Sequence, residues 1–577
     1  AGRLQPVVRV ARSISRFFAV YGWLVVGLAC LWLAYLLVWQ RGFYFDDWSM
    51  GHRVRNWQTL EWLPIEFSRV IPTFPSRILV HIVMSYLIAL MWTDEFLVRF
   101  LIAGGVGLNA FLLGWLVYRM LHSRLPAIVA GWLFLTPVYT DVPLWATAGA
   151  GTFTNGLTLL MLHAIWSALV ADRTRYVWLL IGVLMLIILM WGEPTVGIVG
   201  VIPFMGILYR IQRPEVNWRT VAYRTALGFI VPTIVIVLYS FLVIVGSPLT
   251  TQRGEITLDM TLIAQRAHYW SEALYWFTLD PTWGHHFVVS SYMIGLDHVL
   301  FSRFGIILLL SISVVLGWTV VIWQSDDQLS RISEILLVLA FGIIWFVVVL
   351  YVPYVFVARQ IFEIRFLYFS LPGVSIAIGA LVALATSVVR RYVLQQMLLV
   401  VCGVLLVILS VCMVGYGRMY KVRYEHDMNM FLALKRSAPS EALPESPQLI
   451  PVNMDYSLPG KERLMGGLII SAFEAPWSAC AGLLMVYPGR FDRECEYINS
   501  SRWDPAKFSE HVSDVPYYCK TRYTKINVFV QRCPVDPERA IVFSSHDGEI
   551  VLVRTLTLHR SDGTTRIVEL PVVSRLA

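Results

Sequence analysis

Apolar runs of roughly 18 residues or more recur along most of residues 17–416, and each is long enough to cross a hydrocarbon core of about 30 Å as an α-helix. In lipid every backbone N–H and C=O must find a partner within the protein, so such runs fold as helices and pack on one another. This feature makes the chain a polytopic α-helical membrane protein. Composition agrees: 57% of the 577 residues are hydrophobic and 15% are charged, too few charges for a soluble surface. The net charge of +8 is mostly Arg beside helix ends. Topology and anionic headgroups account for it better than nucleic acid does.

Charge placement orders the runs. Residues 1–16 carry Arg3, Arg9, Arg12 and Arg16 without an acid, which predicts a cytoplasmic N-terminal segment. Eleven spans then satisfy the positive-inside rule, at about 17–39, 96–119, 125–140, 149–170, 176–191, 195–209, 223–245, 304–323, 333–355, 366–388 and 394–416. Residues 70–92, broken by Pro72 and Pro75, are expected to lie in the interface, because a crossing there would invert every basic loop that follows. The first outer loop is therefore 40–95, within a membrane module of 17–416. The expected location is a multi-pass prokaryotic cytoplasmic membrane.

Residues 430–577 are a different kind of sequence. "ERAIVFSSHDGEIVLVRTLTLHRSDGTTRIVELPVV" alternates apolar and polar residues between Asp-Gly signals, the pattern of β-hairpins. The apolar, Gly-rich stretch 460–490 predicts a helix. The expected fold is a β-rich α/β domain of about 140 residues, large enough for its own core. Cys480, Cys495, Cys519 and Cys533 all fall here. They predict two disulfides and an oxidising, extracytoplasmic compartment, with three pairings open. Cys30, Cys402 and Cys412 lie in apolar runs as packing residues.

This topology puts Asp46, Asp47, Asp141, Glu193, Arg359, Glu363 and Arg365 at the outer mouths of spans. Placing charge at a mouth avoids the roughly 2.5–3.5 kcal/mol of an ionised Asp at the bilayer centre. Singly, each is more simply a solvated loop residue; the set is what points to a site. Pro194 beside Glu193 interrupts a helix and opens a polar niche there. His285 and His286 sit in a Trp-rich outer loop, either against a substrate or as part of an interface anchor. Asp326 and Asp327 fall on the inner side as solvated residues. Arg77 and His81, on the interfacial segment, face lipid phosphate or water. His163, within a span, reads as an interhelical hydrogen-bonder.

The order and common side of these residues resemble the GT-C class of polytopic glycosyltransferases, in particular the mannosyltransferases that use polyprenyl-phosphate sugars. "FYFDDW" (43–48) is similar to the acidic pair that class carries after its first span, and 70–92 matches its interfacial helices. "LTPVYTDVPLW" (135–145) resembles the pattern His-Pro-x-x-x-Glu-x-x-x-Trp, with Thr136 for His and Asp141 for Glu. "WGEPTVGIVGVIP" (191–203) resembles a Lys-Glu turn, with Gly192 for Lys. "FEIRFLYFSLPG" (362–373) resembles Glu-Arg-Tyr-Leu-Tyr-Leu-Pro and retains Glu363, Arg365, Tyr368 and Pro372.

The resemblance covers about 17–388 and implies a reaction. A sugar would pass from a polyprenyl phosphate to the hydroxyl of an exported protein, a glycolipid or an envelope glycan, with inversion. Asp46 or Asp47 would be the general base. Arg365 and Arg359, with Glu363 and Tyr368 beside them, would hold the lipid phosphate. Asp46, Asp47, Asp141 and Glu193 offer oxygen ligands to Mg²⁺ or Mn²⁺, or equally to acceptor hydroxyls. The competing readings are a transporter or lipid flippase, and a non-catalytic scaffold displaying the C-terminal domain. Against transport, the charges gather at one face and no pseudo-symmetric halves are visible.

Overall fold

The computed structural model describes residues 25–38, 95–136, 150–170, 175–191, 193–246, 259–278, 284–324, 331–351, 367–389 and 392–444, and isolated positions such as Leu144 between them. In the C-terminal region it describes most of 447–451, 471–487, 494–497, 517–533 and 536–570. The helices are α1 Val25–Val38, α2 Glu95–Leu121, α3 Arg124–Leu135, α4 Ala150–Val170 and α5 Arg175–Trp191. A 3-10 helix, Glu193–Val201, leads into α6 Ile202–Gln212. Then come α7 Trp218–Gly246, α8 Met260–Thr278, α9 Gly284–Phe301, α10 Arg303–Gln324, α11 Ile332–Leu350, α12 Leu367–Val388 and α13 Tyr392–Ser437.

Among the described residues six helices are long and apolar enough to cross a membrane: α2, α4, α7, α11, α12 and α13. The pair α9 and α10, bent by 101° at its join, makes a seventh if it is one broken span. The expected count was eleven. The difference lies in four segments that are apolar and helical but short, within α1, α3, α5 and the 3-10 helix with α6. A 12-residue helix such as α3 rises only about 18 Å, less than a hydrocarbon core. Of the expected interfacial stretch 70–92, Leu79 and Val83 are described; both are helical and pack on the main core.

Helices in lipid gain little from hydrophobicity against one another, so close packing between small residues does the work. Gly342 of α11 and Gly373 of α12 face each other. A Cβ on Gly342 would stand 2.7 Å from the Gly373 oxygen, and one on Gly373 2.6 Å from the Gly342 oxygen. Gly295 of α9 and Gly415 of α13 are pressed equally closely, each against the other helix's backbone. The nine-residue 3-10 helix is unusually long for its kind. It lies with Gly197 against the Val348 carbonyl of α11, an approach that leaves no room for a side chain.

Three elements differ from the sequence expectation, the first being α8, which lies in the outer loop expected between the spans at 223–245 and 304–323. The region 284–301, expected as part of an outer loop, is helix α9, with Ser290, Ser291, Ile294 and Val299 buried. The last span does not end near residue 416. Helix α13 continues without a break through 46 residues, about 69 Å at 1.5 Å per residue.

The far end of α13 enters the C-terminal fold. Its strands are β1 Gln448–Pro451, β2 Glu494–Tyr497, β3 Tyr517–Tyr523, β4 Val528–Cys533, β5 Ala540–His546, β6 Glu549–Val553, β7 Thr555–His559 and β8 Thr565–Glu569. Six form one mixed sheet in the order β4-β3-β2-β1-β5-β6, and β7 with β8 forms a separate hairpin. β1 runs parallel to β2 and to β5. Helix α14, Pro476–Val486, falls within the 460–490 stretch expected to hold one. In the β5–β6 pair His546 stands opposite Glu549, the register expected of strands that flank an Asp-Gly signal.

Phe431 and Leu434 of α13 pack with Phe473, Leu483, Tyr497, Ile541 and Phe543 in one core, each such burial contributing about 1.5–3 kcal/mol. At the sheet's rim Gln448 donates to Glu496 at 3.2 Å, and its Oε1 accepts from the Asp536 amide at 2.7 Å. Arg539 bridges Asp536 and Glu496 at 2.7 and 3.1 Å. The hydrogen bond to Asp536, more than the charge of Glu496, raises the Arg539 pKa.

Candidate functional site

Helix directions settle which chain ends meet. Gly27 of α1 faces Phe111 of α2, while Gly107 lies on Cys30 and Leu31, so α1 and α2 are antiparallel. In α4, Thr152 lies by Asn109 and His163 by Arg119 of α2, so α4 runs parallel to α2. Phe134 near the end of α3 packs against Tyr368 at the start of α12, the rings tilted by 46° with centroids 5.4 Å apart. Leu350 ending α11 and Leu367 beginning α12 enclose Trp270 of α8. The last residues of α1, α3, α5 and α11 and the first of α2, α4, α12 and the 3-10 helix therefore gather at one end of the bundle.

Every membrane-mouth candidate belongs to a segment that leaves or enters at that end. Asp46 and Asp47 lie between Val38 and Glu95, Asp141 between Thr136 and Ala150, and Arg359, Glu363 and Arg365 between Tyr351 and Leu367. These six residues are outside the described set. Glu193 opens the 3-10 helix at the same end. His285 and His286 stand in the first turn of α9, which lies beside α13 where Cys412 contacts the Val288 carbonyl. Asp326 and Asp327 follow α10, whose Leu316 meets Gly403 near the start of α13; that is the opposite end. For Glu193, His285 and His286 the backbone alone is described.

Tyr368 is fully buried. Its phenol lies against the side chains of Thr152 and Asn109, and its carbonyl accepts from Asn155 Nδ2 at 2.9 Å. Asn109 Nδ2 in turn donates to the Thr152 carbonyl at 2.6 Å. Thr152 Oγ1, Asn155 Oδ1 and the Tyr368 hydroxyl are buried without a hydrogen-bond partner among the described residues. This polar layer joins α2, α4 and α12 close to the first turns of α4 and α12.

Two polar features escape sequence reasoning. Arg99, in the second turn of α2, is 3% exposed and donates from Nη1 to the Leu144 carbonyl at 2.8 Å. Arg423 and Asp427 on α13, 1% and 2% exposed, pair at 3.7 Å. Asp427 also accepts from Ser471 Oγ at 2.7 Å and from the Ala472 amide at 2.8 Å. Arg99 falls inside an expected span and Arg423 and Asp427 just beyond one; the i,i+4 spacing of Arg423 and Asp427 was the available signal.

His163 behaves as an interhelical hydrogen-bonder. Nε2 meets the Leu112 carbonyl at 2.9 Å and Nδ1 faces Arg119 Nη1 at 3.3 Å. A neutral ring protonated on Nε2 satisfies both contacts. Arg119 also reaches Ser167, locking α2 to α4 at the end remote from the candidates.

Of the three cysteine pairings, the structure forms Cys480–Cys495, linking α14 to β2 with Cα atoms 5.6 Å apart. Cys519 and Cys533 stand on the neighbouring antiparallel strands β3 and β4, Cys533 opposite Tyr517. Cys30, Cys402 and Cys412 are free. Among the described residues no three His, Cys, Asp or Glu side chains cluster as metal ligands. No protein-family model and no curated protein matches this chain.

Proposed function

We propose that the chain is a membrane glycosyltransferase of the GT-C type, moving a sugar from a polyprenyl phosphate to a hydroxyl acceptor. The observation that carries the reading is the gathering of chain ends. Segments bearing the five candidate carboxylates and the two candidate guanidiniums attach to one end of a helical bundle, and α13 leaves the bundle at that same end to enter the C-terminal fold. The disulfide of that fold supports an oxidising compartment on that side, where a lipid-borne donor meets a water-borne acceptor.

In this reading Asp46 or Asp47 removes the acceptor hydroxyl's proton as its oxygen attacks the anomeric carbon. The bond from that carbon to the phosphate oxygen breaks on the opposite face, and its electron pair leaves with the phosphate, inverting the centre. Arg365 and Arg359 stabilise the charge on the departing phosphate, where guanidinium donors act most strongly in a water-poor site. Asp141 and Glu193 orient the acceptor. Together with Asp46 and Asp47 they are the oxygen donors that would hold Mg²⁺ or Mn²⁺, which would supply further charge neutralisation. The C-terminal domain presents the acceptor, an exported protein or glycan.

Glycan analysis of the envelope and secreted proteins from a deletion strain tests this. The expected result is a sugar lost on deletion and restored by the wild type but not by Asp46→Asn/Asp47→Asn. Full rescue by the double variant refutes it and leaves transport or scaffolding.

A further inference from the structure

We propose that the turn between α6 and α7, with the first turns of α7 and α5, is a docking surface for the headgroup of an anionic phospholipid. The surface lies at the end of the bundle remote from the candidate residues, and its role is independent of the transferase reading. Two side-chain contacts build this end. Gln212, ending α6, donates from Nε2 to the Met120 carbonyl of α2 at 2.5 Å, and Arg224 of α7 donates from Nη1 to the Leu169 carbonyl of α4 at 2.7 Å. Helices α5 and α7 run side by side from here, with Gly228 against Trp178 and Gly182 against Val231 and Val235.

Along α7 this surface is layered as a bilayer is. Only 11% of the apolar stretch of α7 is buried within the protein, against 39–61% in the other five long apolar helices among the described residues. Arg219, Tyr223, Ile230, Ile234, Val237 and Phe241 are all exposed. They recur at intervals of three, four and seven residues, so they share one face of the helix. Ile230 to Phe241 offer that face to acyl chains. Tyr223 lies about 10 Å along the axis from Ile230, and Arg219 about 6 Å beyond Tyr223. Tyr223 is 66% exposed, and Trp218 of α7 and Tyr176 in the first turn of α5, 54% and 83% exposed, stand at the same end; such rings settle at headgroup depth. Charge follows the rings. Residues 210–224 carry Arg210, Arg213, Arg219 and Arg224 and one acid, Glu215. Glu215 stands 3.6 Å from Arg213 with both side chains largely exposed, a weak pair in water. Hydrocarbon, aromatic rings and guanidiniums thus follow the order of acyl chain, glycerol and phosphate, and the excess of positive charge selects an anionic headgroup.

The test titrates the full chain in detergent micelles with dioleoyl phosphatidylglycerol and reads the Kd of the first bound lipid by native mass spectrometry. Dioleoyl phosphatidylcholine, with the same chains and no net charge, is the comparison. The wild type is expected to prefer phosphatidylglycerol. Arg213→Gln/Arg219→Gln is expected to weaken phosphatidylglycerol at least tenfold, at roughly fivefold for each arginine near the headgroups, and to leave phosphatidylcholine unchanged. Both positions are exposed, and Arg213→Lys/Arg219→Lys, which keeps the charges, is expected to retain the preference. Arg436→Gln/Arg554→Gln, which removes the same charge from exposed positions of the C-terminal fold, is expected to leave both lipids unaffected. Equal affinity of the wild type for the two lipids overturns the proposal. So does a loss of less than about tenfold in Arg213→Gln/Arg219→Gln, or a matching loss in Arg436→Gln/Arg554→Gln.

Discussion

Replacing Asp427 by Ala probes how the C-terminal domain is held on its helix. Asp427 is 2% exposed, pairs with an Arg423 that is 1% exposed, and accepts hydrogen bonds from Ser471 Oγ and the Ala472 amide. Removing one partner of a buried pair leaves the other charge uncompensated, at about 3–5 kcal/mol. At about 1.4 kcal/mol per tenfold, the equilibrium for opening residues 471–473 from α13 should shift by roughly two to three and a half powers of ten. The Ala472 amide reports this directly, since Asp427 is its acceptor. Hydrogen exchange of the full chain in nanodiscs should show that amide exchanging at least 100-fold faster in Asp427→Ala. The control is Glu425→Ala, which removes the exposed partner of Lys421 at 3.6 Å. Surface pairs contribute about 0–1 kcal/mol, so its exchange should stay within about fivefold of the wild type. A rise of less than tenfold in Asp427→Ala, or equal rises in both variants, would refute the reasoning.

Two further outcomes concern the same domain. Reducing Cys480–Cys495, which closes a 15-residue separation, should lower the stability of the C-terminal fold by about 3 kcal/mol. Thermal unfolding with and without a thiol reductant measures this, and an unchanged transition would contradict it. Burial raises the Tyr487 pKa above the ordinary tyrosine value of about 10. The folded state thus holds that proton more tightly than the unfolded one, so its contribution is complete below about pH 10 and is lost as pH rises toward the folded value. Tyr487→Phe, which gives up the hydrogen bond to the Ala438 carbonyl at 2.9 Å, should flatten the alkaline decline, as denaturant midpoints between pH 8 and 11 will show.

How much of this was legible in the sequence depended on which force shaped each element. The long apolar helices were readable because lipid enforces internal hydrogen bonding, and the β5–β6 pairing because apolar and polar residues alternate on both sides of an Asp-Gly signal. Helix α9 was hidden because His285, His286, Asp297 and His298 lower the hydropathy of a segment that nonetheless buries Ser291 and Gly295 against α13. The continuation of α13 was hidden for the opposite reason. Arg418, Lys421, Arg423 and Glu425 end an apolar run but are good helix formers, so hydropathy marks a boundary that the backbone does not. Arg99 carried no signal in the sequence, because nothing local reveals that its partner is a carbonyl 45 residues away. The candidate residues form a set in the sequence through their expected common side, and helix direction, read from contacts such as Phe134 on Tyr368, brings the chain ends that flank them together.

The unbroken course of α13 makes the C-terminal domain's bearing a matter of helical phase. A flexible linker would let that domain sample many headings; a rigid rod of 3.6 residues per turn allows only discrete ones. One residue inserted between 416 and 427 would swing everything beyond it by about 100° and lift it by about 1.5 Å, while seven would return it almost to its original heading some 10 Å further out. The domain is thus aimed as a pointer on a shaft is aimed. Its direction is written in the count of residues between membrane and sheet, which is why changes of length there should matter more than changes of side chain on its solvent face.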